Sequence, residues 1–339
     1  MRFPFSLTRS ITGYLMRQRI RGNRRFPLVL MLEPLHACNL RCAGCGRIRE
    51  YADTVHRRMT VEECLSAVDE CGAPVVSVCG GEPLIHGDLP ELLAEILGRR
   101  KHVYLCTNGL LLEEKAAVLP RDPRLYINVH LDGMEASHDV SVCKKGVFAA
   151  AVRGINAARG LGFRVYTNTT VYKRTDMNEI AVLFGYLSEL GVDGFMLSPA
   201  FGYAAVEDDD GKPAEDLFLI REEVHARFRE AEALLGDHRL TASPIFMDFL
   251  TGRRALTCAA WANPTRNIRG WKGPCYLLTD AHYGTYAELL ESTDWESLGP
   301  GKDPRCANCL THCGFEPAAV LEANRHVRDM FRMAVWQMR

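Results

Sequence analysis

The sequence predicts an α/β fold, a partial (βα)6 barrel followed by a loop-rich, cysteine-bearing C-terminal cap. Over the first two hundred residues, short β-branched runs alternate with longer helical patterns, which marks successive βα units on a parallel sheet. Polar and glycine-containing clusters follow those runs, at the strand ends where such folds place their ligands. After about Thr241 the alternation stops, and Cys258, Cys275, Cys306, Cys309 and Cys313 lie in a stretch that reads mostly as loop.

Residues 1–25 form a basic N-terminal segment. Arg2, Arg9, Arg17, Arg19, Arg21, Arg24 and Arg25 precede the first acid, Glu33, and Leu7, Ile11 and Leu15 fall at helical spacing among them. Such a helix either lies on an anionic membrane surface or docks on the barrel with a solvated basic face. Residues 26–200 are the expected barrel. Its strands are Leu28–Leu32, Val75–Val78, Val103–Cys106, Tyr126–Leu131, Arg164–Thr170 and Gly194–Leu197. Helices are expected at Val61–Glu70, Leu89–Gly98, Val147–Gly160 and Met177–Leu190, the first opened by a capping box from Thr60 to Glu63. Residues 201–339 are the C-terminal extension. It begins with an acidic, solvated loop at Glu207, Asp208, Asp209 and Asp210 and a helix over Leu217–Leu235.

Composition bounds the function. A formal net charge of −1 favours no polyanion, so nucleic acid is not expected as a partner. No apolar run is long enough to span a bilayer. Thirteen cysteines, several in short-spaced groups, do not read as a disulfide framework. With no recognisable signal sequence, the expected place is a reducing cytoplasm, with peripheral contact at the inner face of the cell membrane if the basic helix binds lipid.

The strongest motif is Cys38-x3-Cys42-x2-Cys45, in the loop after the first strand. Three thiolates over eight residues can hold one face of an iron–sulfur cubane and leave the fourth iron open, whereas electron-transfer clusters take four cysteines. The other reading is zinc, with His36 as a fourth ligand. After the second strand comes Gly80-Gly81-Glu82-Pro83, where glycines admit a ligand close to the backbone and Glu82 can accept from an ammonium group. Asn108 follows the third strand, His130 and Asp132 the end of the fourth, and Asn168 lies in the fifth.

This combination resembles the radical S-adenosylmethionine (SAM) enzymes. The resemblance implies a [4Fe-4S] cluster on Cys38, Cys42 and Cys45, with SAM on the open iron and cleaved by one electron from a donor such as flavodoxin or ferredoxin. It implies that Gly80, Gly81 and Glu82 hold the methionine amino group, and that Asn108, His130, Asp132 and Asn168 are candidates for ribose and adenine contacts. One departure is Gly44, where the family usually has an aromatic residue; its absence implies looser packing around the adenine.

A narrower resemblance, carried by Pro27–Pro34, Cys42–Gly46, Cys71–Val76, His130–Gly133, Met247–Leu250, Asn263–Asn267, Gly270-Trp271, Pro274–Leu277 and His312–Gly314, is to the adenosylhopane synthases of hopanoid biosynthesis. It implies addition of the adenosyl radical to the alkene of diploptene, a hydrophobic triterpene. The alternative is hydrogen abstraction from a peptide, sugar or nucleoside. Val78-Cys79 and Ala200–Asp216 depart from the narrower pattern.

Cys306-x2-Cys309-x3-Cys313 is a second metal-like spacing, which Cys275 or Cys258 would complete for a second [4Fe-4S] cluster or, with His312, for zinc. Buried thiols packing the cap are the other reading. Cys106 ends the third strand, directly before Thr107 and Asn108. A thiol S–H is weaker than an alkyl C–H, so Cys106 is the candidate catalytic residue that quenches a product radical; the competing role is a small core residue. Cys64, Cys71 and Cys143 read as core or surface thiols, and Cys79 has no assigned place.

Overall fold

The computed structural model describes residues 2–206 and 215–338. The acidic run at Glu207–Asp210 lies outside the described residues. Six parallel strands carry the barrel: β1 (Val29–Leu32), β2 (Val75–Val78), β3 (His102–Thr107), β4 (Leu125–His130), β5 (Arg164–Val171) and β6 (Gly194–Pro199). Each pairs with its predecessor in sequence, as short βα crossovers require. The predicted strands are all present, with ends that differ by at most two residues.

Sheet and helices are held by one apolar layer. The outward-facing Leu30, Leu32, Val76, Val78, Val103 and Leu105 are almost fully buried against the helices Val61–Cys71 and Leu89–Gly98. Burial of each such side chain stabilises by about 1.5–3 kcal/mol. Thr60 makes the expected capping box with Glu63, and Gly72 ends that helix in the left-handed region at φ 69°.

The stretch after Thr241 is more ordered than expected. A hairpin-like extension, β7 (Thr265–Asn267), β8 (Gly270–Pro274) and β9 (Thr279–Tyr283), continues the sheet beyond β1. β7 runs parallel to β1, and β8 and β9 follow antiparallel. Helices Pro244–Leu250, His312–Ala323 and Val327–Met338 complete the cap. The sequence shows no alternation there because β7 is three residues long and exists through its pairing with β1.

The basic segment forms the helix Phe5–Ile20. Leu7 packs with Val75, Tyr126 and Tyr166 on the inward face of the strands, near their N-terminal ends. The helix therefore docks on the barrel, and its arginines face outward. No helix among the described residues is long and apolar enough to cross a membrane.

Candidate active site

Residues alternate across a strand, so one parity of every barrel strand lines the inner wall. Ser77, Cys106, Asn128, His130, Asn168 and Ser198 share that wall. Cys106 pairs in register with Asn128, and His130 with Asn168. The cysteine loop closes over the C-terminal ends of these strands. Cys38 and Cys42 pack with Leu40, Leu110, Val142 and Val147, while Cys45 is exposed.

Asn108 ties this loop to β3. Its amide nitrogen donates to Asn39 Oδ1 at 2.7 Å and points at Cys38 Sγ at 3.8 Å. Burial pushes the Cys38 thiol up to about 11, and burial also raises Cys42. Both are thiols until a cation replaces their protons.

Gly80 and Gly81 lie against this loop. A Cβ on Gly80 would strike the carbonyl oxygen of Leu35, and one on Gly81 that of Ala37. Gly80 also has φ 108°. Both positions therefore require glycine. Glu82 is buried, and its carboxylate already accepts three hydrogen bonds: from Thr107 Oγ1 at 2.7 Å, the Leu84 N–H at 3.0 Å and the Asn108 N–H at 2.8 Å. It ties the ends of β2 and β3 together and keeps about one of its roughly four lone-pair directions for a ligand.

The half-buried His130 and the buried Asp132 form an ion pair at 2.9 Å. Burial works against the charged form of each. The attraction between them outweighs it, raising the His130 pKa and lowering that of Asp132. Asp132 also accepts from Ser141 Oγ at 2.6 Å and the Thr170 N–H at 2.8 Å, so it orients His130 with little capacity left. The side-chain oxygens of Asn128 and Asn168 are buried and accept nothing among the described residues. They are open acceptors on the inner wall, and they suit the exocyclic amine of an adenine or the hydroxyls of a ribose.

At Gly44 the backbone packs closely against a side chain from another loop. A Cβ there would collide with the ring and hydroxyl of Tyr172, which follows β5 directly. An aromatic ring from a distant position thus lies beside Gly44.

Cys106 faces inward, 3.4 Å from Ser77 Oγ and 3.8 Å from Asn128 Nδ2. Burial raises its pKa, so the S–H is intact near neutrality. Cys79 lies two residues after Ser77 and is buried, which raises its pKa. Cys64 and Cys71 are core residues and Cys143 is exposed.

Sequence reasoning missed a buried charge cluster beside the cysteine loop. Arg47, two residues after Cys45, sits 3.0 Å from Glu33, 2.9 Å from Glu50 and 2.7 Å from the carbonyl oxygen of Tyr276. Lys272 on β8 lies 3.0 Å from Glu50. These groups lock the loop to β1 and to the strand extension. A charged residue at the end of an apolar strand, Glu33, was the available signal.

Cys258, Cys275, Cys306, Cys309 and Cys313 line one cavity of about 30 Å³, with Leu277, Leu298 and Phe315 among its apolar walls. Cys275 Sγ accepts the Leu278 N–H at 3.3 Å, and Thr311 Oγ1 lies within 3.3 Å of Cys309 Sγ and 3.1 Å of Cys313 Sγ. Among the described residues no three His, Cys, Asp or Glu side chains converge closely enough to hold a metal ion as they stand. His312 turns away to Ser198 on β6, its Nδ1 3.0 Å from Ser198 Oγ.

A sequence model of the radical SAM superfamily matches residues 32–187. The α/β fold of this region is that of the radical SAM enzymes. Its boundaries enclose the cysteine loop, the two glycines and β2–β5. The cofactors of this superfamily are a [4Fe-4S] cluster and SAM. Residues 195–333 match a second model, described as a domain of unknown function.

Among curated proteins, Fe-coproporphyrin III synthase of Methanosarcina barkeri is 28% identical over 63% of this chain and 56% of its own length. The subtilosin biosynthesis protein AlbA of Bacillus subtilis is 25% identical over 86% of this chain and 65% of its own. The chain therefore spans less than two thirds of these relatives. Streptococcus suis SuiB bound to its precursor peptide SuiA superposes with a TM-score of 0.64, at 12% identity, over 88% of this chain and 73% of that one. This likeness shows the fold of the radical SAM domain and its C-terminal extension.

Proposed function

We propose that Cys38, Cys42 and Cys45 hold a [4Fe-4S] cluster that cleaves SAM, and that Cys106 gives a hydrogen atom to the substrate radical. When bound, the cluster supplies one electron and SAM supplies the 5′-deoxyadenosyl radical. Gly80 and Gly81 admit the methionine part, and Glu82 offers its remaining lone pair to the ammonium group. Asn168 and His130 face the adenosine side, and Asp132 holds His130 in place.

The inward thiol of Cys106 carries the reading of the reaction. The radical adds to a hydrophobic alkene, of which diploptene is our candidate. A new C–C bond forms, and the π bond leaves one unpaired electron on the neighbouring carbon. Transfer of the Cys106 hydrogen saturates that carbon and leaves a thiyl radical. An electron from a flavodoxin- or ferredoxin-type donor, with a proton, restores the thiol.

A second reading is hydrogen abstraction from a peptide. The relatives favour it, since AlbA is named for bacteriocin biosynthesis and SuiB is seen with a precursor peptide. The polar inner wall, with His312 and Glu316 on the helix His312–Ala323, also suits a substrate that has hydrogen-bonding groups. Mass spectrometry of products from adenosyl-labelled SAM separates the two. Addition puts the label into a larger product, and abstraction releases it as 5′-deoxyadenosine.

The five cysteines around the second cavity support an auxiliary iron–sulfur cluster, its four ligands drawn from Cys258, Cys275, Cys306, Cys309 and Cys313. Backbone N–H donors at Leu278 suit a thiolate at Cys275.

A further inference from the structure

The end of the barrel opposite the cysteine loop carries an apolar stripe that the fold leaves uncovered. The helix Val327–Met338 exposes Val327, Met330, Phe331, Ala334 and Met338. Spacings of three, four, seven and eleven residues from Val327 put all five on one face. Val327 is 79% exposed and Phe331 70%, in a helix whose other side is fastened by Arg254 to the buried Asp329 at 2.6 Å. This is the reverse of ordinary amphipathic packing, in which the apolar face is the one covered.

The helix Phe5–Ile20 lies antiparallel beside it. Gln337 bonds to Phe3 and Thr8 at one end, and Arg19 donates to the Asn324 carbonyl at the other. Its outward face also carries uncovered apolar residues, Phe5, Met16 and Ile20, the last 84% exposed. These are separated by eleven and four residues, which is one azimuth on a helix. Arg9 and Arg17 flank them. Arg9, Arg17, Arg21 and Arg24 form no ion pair among the described residues, nor does Arg328 on the neighbouring helix.

We infer that these two helices together form a docking face for an anionic lipid bilayer. Apolar side chains enter the acyl boundary while the arginines meet the headgroups. At 16 and 12 residues, the helices suit lying in the interface, and neither is long and apolar enough to cross it. A second copy of the chain fits poorly, because two such faces would bring unpaired arginines against each other. The inference is independent of the reaction proposed above, and it leaves the cysteine-loop end facing water.

The test is sedimentation of the full chain with sucrose-loaded vesicles of phosphatidylcholine alone or with a third phosphatidylglycerol. The protein should bind the anionic vesicles, less so as salt rises, and the neutral ones far more weakly. Phe331→Ser and Ile20→Ser, on different helices, should each weaken binding about tenfold. Changing Arg9, Arg17, Arg21 and Arg24 to Gln should weaken it about a hundredfold or more at low salt. Unchanged thermal melting shows that the variants fold. Absent binding, equal binding to both vesicles, or binding that ignores these substitutions would overturn the inference. So would a dimer in sedimentation equilibrium that Phe331→Ser dissociates, since the stripe would then belong to self-association.

Discussion

Cys106 Sγ lies 3.4 Å from Ser77 Oγ, so a thiol and a hydroxyl meet on the inner wall two residues below Asn108. Ser77 and Asn128 both contact the thiol, which is the hydrogen donor in the proposed reaction. Cys106→Ala should still consume SAM and still form the adduct radical. The saturated product should fall sharply, with an unsaturated adduct in its place. A normal product profile from folded, cluster-loaded Cys106→Ala would remove the hydrogen-donor role.

The contact between Tyr172 and Gly44 predicts a second loss. Gly44→Ala forces a Cβ into the Tyr172 ring, and overpacking of this kind costs about 1–3 kcal/mol. Denaturant midpoints should show that loss. Tyr172→Ala in the Gly44→Ala background should recover part of it, because the colliding ring is gone. Additive losses in the double variant would mean that the two residues do not meet.

Arg47 is buried between two carboxylates, Glu33 and Glu50. Arg47→Met leaves Glu33 as an uncompensated buried charge, which typically costs about 3–5 kcal/mol. Urea unfolding of the apoprotein should reveal it, and cluster reconstitution should fall because the cysteine loop loses its tether. Stability within about 1 kcal/mol of the parent would show that Glu33 is not held by Arg47.

Burial alone pushes Glu316 up to about 7. A carboxyl whose folded pKa lies above its unfolded value binds more protons when folded. Its contribution is thus least unfavourable below the unfolded value and worsens as pH rises toward 7. Relative to Glu316→Gln, the parent should lose at most about 3 kcal/mol between pH 4.5 and 7, then level off. Parallel stability curves for the two proteins would mean that Glu316 is solvated.

Cys313 tests the second cavity. If four of its five thiols bind a cluster, Cys313→Ala should lower the iron content of the reconstituted protein while Cys38, Cys42 and Cys45 keep theirs. Iron unchanged by both Cys313→Ala and Cys275→Ala would show that the cavity is packing.

The parallel barrel was legible because each strand is an apolar run closed by its own loop motif. The placement of Cys38, Cys42 and Cys45, and of the glycines at 80 and 81, in loops after strands was legible for the same reason. What was not legible depends on distant partners. Tyr172 lying beside Gly44, Lys272 reaching Glu50 and β7 pairing with β1 join positions far apart in the chain. The uncovered stripe on Val327–Met338 also escaped notice, because its spacing looks like that of any core-facing helix until its apolar side is seen to face outward.

The most direct test of the account is methionine release from SAM by the anaerobically reconstituted, chemically reduced full chain. Methionine is a product whether the adenosyl radical adds to the substrate or abstracts from it. The parent protein should release it, and Cys42→Ala should release none above background. Equal release by Cys42→Ala, or none by a parent protein with its cluster loaded, would contradict the central claim.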